Sequence, residues 1–176
     1  ISPYGKAKLL SFNHTKFYRN IKKLNAYNAV IFNTESYYRD KNYLIPKICM
    51  AAINAKKYNK KTTFGNLKIS REWNWASEQM FYLLKFINKN PQDFILSNGR
   101  SYSALNMIDF AFKYFKLDYK NFIQSNKKFM RKKDFLKKES NFISCLKRNN
   151  LKRDSKIYGK NLINQLIKYY LHEENK

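Results

Sequence analysis

Glycine is scarce in this sequence, with only Gly5, Gly65, Gly99 and Gly159 among 176 residues. No two stand close enough to form a glycine-rich loop that cradles phosphate, so that route to nucleotide binding is excluded within these residues. Proline is equally rare, and the two together are too few to mark a flexible linker. Two cysteines, Cys49 and Cys145, and two histidines, His14 and His172, lie scattered, with no CxxC or Cys/His ligand spacing. Neither a structural zinc site nor a disulfide framework is expected, and the thiols read as buried groups in a reducing compartment. No apolar run approaches the length that spans a bilayer, and the lysine-dotted residues 1–25 lack the apolar core of a signal peptide. A soluble, cytoplasmic protein is the expectation.

Acidic residues are few as well: 12 against 36 Lys and Arg, a formal charge of +24. Such an excess often marks a nucleic-acid or anionic-membrane partner. Here the excess is mostly lysine, spread along the chain among asparagine, isoleucine and tyrosine, which reads as a solvated surface. Neither nucleic acid nor a membrane is expected as a partner. Hydrophobic residues at 44% and aromatics at 17% place the chain among globular proteins with a real core.

The hydrophobic pattern predicts a helix from Ser2 to Leu24, with Pro3 in the first turn and Leu10, Phe17, Ile21 and Leu24 on one face. The unbroken run Ala29-Val30-Ile31-Phe32 reads as a parallel strand buried on both faces, closing in the polar loop Asn33–Ser36. A second helix is expected from Pro46 to about Lys57, a short extended piece at Thr62–Phe64, a third helix from Ala76 to Ile87, and a strand at Phe94–Leu96. Ser103 should cap a helix burying Ala104, Met107, Ile108, Ala111 and Phe115. The last helix, from about Lys160 to Leu171, would bury Leu162, Ile163, Leu166, Ile167 and Tyr170. Residues 126–138 form a basic connector without a clear pattern. Helices alternating with strands place the chain in the α/β class.

Tyr4 and Lys8 stand four apart on the first helix and so share a face. An ammonium beside a phenol favours the phenolate, which a tyrosine needs in order to act as a base near neutral pH. The spacing alone says little, because Tyr18/Lys22, Tyr37/Lys41 and Tyr43/Lys47 repeat it. Tyr4/Lys8 differs in its surroundings: Ser2-Pro3-Tyr4 and Ala7-Lys8-Leu9 open a long helix just before a buried strand.

That order resembles the extended short-chain dehydrogenases, and later blocks narrow the resemblance to the GDP-mannose 4,6-dehydratase family. Asn33-Thr34-Glu35-Ser36-Tyr37-Tyr38-Arg39 resembles its NHESPRR stretch, and Asn42 to Ile48 resembles the NFVTRKI that follows. Gly65-Asn66-Leu67-Lys68-Ile69-Ser70-Arg71-Glu72-Trp73 is similar to its GNLxxxRDW, and Asp93 to Gly99 to its DFVIATG. Arg131-Lys132-Lys133-Asp134 loosely resembles its RPxE. The blocks keep the family's order and spacing over residues 1 to about 135.

The resemblance implies an α/β fold: the carboxyl-terminal part of an extended Rossmann-type domain, with a small substrate-binding domain. Residues 1–33 would end the NADP-binding domain, and residues 34–176 would mainly bind the sugar nucleotide while including elements that return to the Rossmann sheet. Since the chain starts at Ile1, just before the tyrosine, it is expected to be a fragment without catalysis of its own. The family's catalytic threonine and glutamate would lie upstream.

As the resemblance has it, Tyr4 is the catalytic base, and Lys8 holds the nicotinamide ribose and lowers the tyrosine pKa. Thr34 and Arg39 stand at cofactor positions, with NADP the cofactor. Asn33, Lys47, Arg71 and Arg131 stand at positions for GDP-mannose or a similar sugar nucleotide. No metal is implied, and the full-length enzyme would be a homo-oligomer. Thr34 replaces the family histidine, Tyr38 the first of two arginines, Glu72 an aspartate, and Asn74-Trp75 a Gly-His pair. These departures leave open a divergent substrate or an inactive relative. A related epimerase or reductase, and a basic nucleic-acid-binding module, are the other classes considered.

Overall fold

The computed structural model describes residues 2–126 and 139–173. Helix α1 (Pro3–Asn20) begins at Ser2, whose hydroxyl accepts the Gly5 amide at 3.1 Å, with Pro3 in the first turn. It ends at Asn20 rather than Leu24, and Lys23 just beyond takes a positive φ of 56°. The expected inward face is corrected here: α1 buries none of its residues, and Leu10, Phe17, Ile21 and Leu24 are all exposed. Polar contacts dock it instead. Arg19 pairs with Asp93 at 2.7 Å, and the Asn28 amide donates both to the Phe12 carbonyl at 3.1 Å and to Asp93 at 2.9 Å.

Strand β1 (Asn28–Ile31) pairs in parallel with β6 (Asp93–Leu96), in the register Asn28↔Asp93 to Ile31↔Leu96. The strand was expected to be covered on both faces, yet Val30 is 42% and Ile31 52% exposed. Successive strand residues point to opposite faces, so each face of β1 has an open position. Two helices, α3 (Ala76–Ile87) and α5 (Phe142–Arg148), pack beside β6. Tyr82, Phe86, Phe94, Leu96, Phe142, Cys145 and Leu146 make one core there, with the Phe86 and Phe94 rings stacked 4.5 Å apart.

A larger core lies among three helices, α2 (Leu44–Tyr58), α4 (Ala104–Tyr114) and α6 (Gly159–Glu173). Ile45, Ile48, Ile53, Met107, Ile108, Leu162, Ile163, Leu166 and Ile167 are completely buried in it. Burying one such side chain fully stabilises by roughly 1.5–3 kcal/mol. The caps follow the sequence. Ser103 and Asn106 form a reciprocal capping box at the start of α4, and Asn59 closes α2 in the left-handed conformation at φ 51°. Gly159 begins α6 at φ 52°, where an added Cβ would lie 2.7 Å from the Tyr102 ring. Only glycine fits there. Both cysteines are buried and free, as expected.

Three short strand pairs tie the regions together. Strand β2 (Thr34–Glu35) runs parallel to β5 (Asn74–Trp75), and β3 (Thr62–Phe64) parallel to β8 (Ile123–Ser125), while β4 (Ser70–Arg71) is antiparallel to β7 (Tyr102–Ser103). Of these six strands only β3 was expected. Also unexpected are α5 and a 3-10 turn at Tyr119–Asn121. Arg131 and residues 127–138 of the basic connector lie outside the described residues.

Candidate active site

The chain leaves β1 at Phe32, whose amide donates to the Leu96 carbonyl at 3.1 Å. Gln79, from α3, closes the two strand ends: its amide donates to the Phe32 carbonyl at 3.2 Å and to the Leu96 carbonyl at 3.1 Å. Thr34 donates its hydroxyl to the Gln79 side-chain carbonyl at 2.6 Å. Thr34 is therefore bound into this strand-end clamp, and it lines neither of the two grooves described next.

The first groove, about 470 Å³, lies between α1 and β1 and is lined by Tyr4, Lys8, Ser11, Phe12 and residues Asn28 to Ile31. Tyr4 is 72% exposed, and the Lys8 ammonium sits 5.5 Å from the centre of its ring. One helical turn thus sets the Lys8 ammonium beside the Tyr4 ring, on the shared face that the spacing predicted.

The second groove, about 640 Å³, opens where β2, α2, β3 and β4 meet. Asn33, Arg39, Lys47 and Arg71 all line it, so four residues from three separate sequence blocks converge on one cleft. Arg39 sits over the Tyr43 ring, its guanidinium carbon 3.7 Å from the ring centre. Lys47 donates to the Thr63 carbonyl at 3.2 Å and approaches the Phe64 ring. Arg71 donates to the Ser70 carbonyl at 2.7 Å. Arg39, given to the cofactor on sequence grounds, shares this groove with Lys47 and Arg71, whereas Tyr4 and Lys8 line the other.

Sequence reasoning passed over two carboxyls. Glu35 lies in the groove lining, nearly fully buried, and burial pushes its pKa up to about 7 while the Arg39 charge opposes that rise. Its position inside the motif stretch, four residues before Arg39, was the available signal. Glu72, noted only as a replacement for aspartate, is a structural hub. Its buried carboxyl accepts from the Ser97 hydroxyl, from the Ser140 hydroxyl and amide at 2.7 and 2.6 Å, and from the Gly99 amide at 3.1 Å. The departure at Asn74 is structural too, since Asn74 donates to the Asn33 carbonyl from its backbone at 2.9 Å and its side chain at 2.8 Å. Asn33 is thereby fixed at the mouth of the groove.

Comparisons with known proteins agree with this architecture. The family profile for GDP-mannose 4,6 dehydratase matches residues 1–160. GDP-mannose 4,6 dehydratase 1 of Arabidopsis thaliana is 30% identical over 134 residues, covering 74% of this chain and 37% of that protein. The chain thus spans little more than a third of that relative's length. Among solved structures, dTDP-glucose 4,6-dehydratase from Bacillus anthracis in complex with NAD superposes with a TM-score of 0.82 at 12% identity, over 99% of this chain and 54% of that one. RMD from Pseudomonas aeruginosa complexed with NADPH gives 0.82 at 12% identity, over 98% and 57%. The chain accordingly shares its α/β fold with about half of each of these nucleotide-sugar enzymes. With a family profile that runs from the Tyr4/Lys8 helix to the start of α6, this chain belongs to the GDP-mannose 4,6-dehydratase family.

Proposed function

We propose that the chain is the carboxyl-terminal, substrate-binding half of an NADP-dependent nucleotide-sugar 4,6-dehydratase, with GDP-mannose as substrate. The observation that carries this reading is the convergence of Asn33, Arg39, Lys47 and Arg71 on one groove of about 640 Å³. That volume lies within the range of small-molecule sites, roughly 300–1,000 Å³. Three cations there can match the two negative charges of a nucleotide diphosphate, the two guanidiniums through paired hydrogen bonds. Asn33 offers its amide to a sugar hydroxyl.

The α1–β1 groove fits the nicotinamide end of the cofactor, because Tyr4 and Lys8 present a phenol and an ammonium on one helical face beside it. NADP, when bound, would take up the hydride from C4, the sugar carbon that becomes the ketone, and give it back at C6 after water has left across C5 and C6. Tyr4 takes the hydroxyl proton from the oxygen on C4, and Lys8, whose ammonium lies 5.5 Å from the Tyr4 ring centre, holds the nicotinamide ribose. Residues 1–33 then complete the cofactor domain, and residues 34–176 mainly bind the sugar nucleotide. A cytoplasmic, homo-oligomeric enzyme belongs to the same reading.

Titration of GDP-mannose and NADP against Arg71 variants of the full-length enzyme tests the assignment. Arg71→Ala should weaken GDP-mannose binding by about 1.5–3 kcal/mol, the scale of hydrogen bonds to a charged group. Arg71→Lys should weaken it clearly as well, having lost the fork, and NADP binding should barely change. Loss of NADP affinity with GDP-mannose affinity intact would overturn the placement of the substrate.

A further inference from the structure

The groove holds a carboxyl for which the proposed function has no role. The Glu35 side chain is only 4% exposed, and its Oε2 makes no hydrogen bond. The cation facing it is Arg39, whose Nε stands 4.0 Å away, beyond hydrogen-bond reach, and that Nε is itself buried and unpartnered. Two buried polar atoms of opposite tendency thus face each other without closing. The guanidinium rests instead on the Tyr43 ring. A buried ion pair left in that state needs an explanation, since each unsatisfied group carries a desolvation cost.

The surroundings define what the carboxyl feels. From α2, Cys49 lies close enough for the Glu35 charge to oppose its ionisation, and Lys47 lines the same groove. From α6, the Tyr170 hydroxyl has no partner, and burial first, then Cys49 and Glu35, disfavour its phenolate. Arg71 enters the groove from β4, and Trp75 of β5 is the backbone neighbour of Glu35. Arg39 is therefore the cation that Glu35 can engage, and it is also one of three cations lining the groove that an anion would enter. A carboxylate and a diphosphate would compete for the same guanidinium.

We propose that Glu35 is a positioning residue whose proton sets how tightly this groove holds an anion. With the carboxyl neutral, Arg39 is left to the phosphates. With it ionised, Glu35 holds the guanidinium and adds a negative charge beside them. Binding then takes one proton from solvent onto the Glu35 carboxylate, and no other bond is made or broken. Burial supports this, since it brings the carboxyl to about 7 and so populates both forms near neutrality. The inference rests on the nucleotide-sugar reading and deepens it.

The test is calorimetric titration of GDP-mannose into the full-length enzyme at pH 6 and pH 8, each in two buffers of different ionisation enthalpy. The diphosphate of a GDP-sugar is esterified at both ends and has no proton of its own to exchange in this range. Wild-type affinity should fall about tenfold between the two values, the factor carried by one pKa unit of coupling, with net proton uptake on binding. Glu35→Gln should bind equally at both, near the wild-type strength at pH 6, without proton uptake. Glu35→Asp keeps a titrating carboxyl and should keep a slope. A Gln variant that binds GDP-mannose with the wild-type slope and proton uptake overturns the role of Glu35 and leaves the groove assignment standing. No GDP-mannose binding at either pH overturns both.

Discussion

The helical region of α2, α4 and α6 and the sheet region of α1 and β1 use the same kinds of apolar side chain with opposite results. Ile48, Ile108 and Leu166 are fully buried in the first, whereas Leu10 is 59% and Ile31 52% exposed in the second. The three helices cover one another from sequence within this chain. The β1–β6 pair is left partly uncovered in this chain, which superposes on 54% of the longer Bacillus anthracis structure. An apolar stripe therefore tells which face of an element seeks cover, and it says nothing about which segment supplies the cover.

The largest effect that separates the two regions is a pair of truncations. Leu166→Ala removes a fully buried side chain at the meeting of three helices, and such changes cost about 2–5 kcal/mol. Leu10→Ala removes a side chain that is mostly in water, and surface changes of that kind stay within about 0.5 kcal/mol. Urea unfolding followed by far-ultraviolet circular dichroism compares them directly. Equal costs would mean that α1 is as much part of the core as α6, and the contrast would fail.

The same contrast explains what could be read from the sequence. The four long helices with strong periodicity, α2, α3, α4 and α6, were legible, down to the Ser103 cap and the Leu162–Tyr170 face, because a 3.6-residue pattern over three turns or more is read from each segment alone, whatever covers it. The strands β2, β4, β5 and β7 have two residues each, too short for any alternation to register. The seven residues of α5 bury Phe142, Cys145 and Leu146 against β6, and so short a helix gives only two turns of pattern. At the site, motif resemblance picked out Asn33, Arg39, Lys47 and Arg71, and the fold brings them together. Glu35 was quoted in the motif without a role, since its burial depends on α2 and on Tyr170 of α6, far downstream.

A second prediction places pH sensitivity in the helical region. Burial raises the Glu35 pKa from 4.5 to about 7 in the folded chain, so the folded state holds this proton more tightly than the unfolded one. Its stabilising contribution is complete below about pH 4.5, declines as pH rises through 7, and is gone above that. Glu35→Gln should thus leave stability nearly unchanged at pH 4 and raise it at pH 8 by up to about 3 kcal/mol, the equivalent of the shift. Thermal unfolding at both values checks the sign. Hydrogen exchange should show the pH 8 gain in α2 and α6 more than in β1. A gain at pH 4 that equals the gain at pH 8 would show that the carboxyl is not the titrating group.

The smallest expected change in stability tests the sheet region itself. Among the described residues β1 pairs with β6 alone, which leaves its other edge open beside the exposed Val30 and Ile31. An open edge flanked by apolar side chains is a template for another strand, and a lysine on such an edge is a common natural protection against it. Val30→Lys should therefore alter the unfolding free energy by no more than about 0.5 kcal/mol, because Val30 is already 42% exposed. Its effect should appear in association instead. Sedimentation velocity over a range of concentrations should find the wild-type chain associating and the lysine variant shifted towards monomer. A lysine in the helical core would unfold the chain, so a benign Val30→Lys separates the two regions by chemistry as well as by exposure. A wild-type chain that stays monomeric at every concentration and unfolds in one sharp transition would show that the open face is tolerated as it stands, and the sheet region would then need no further cover.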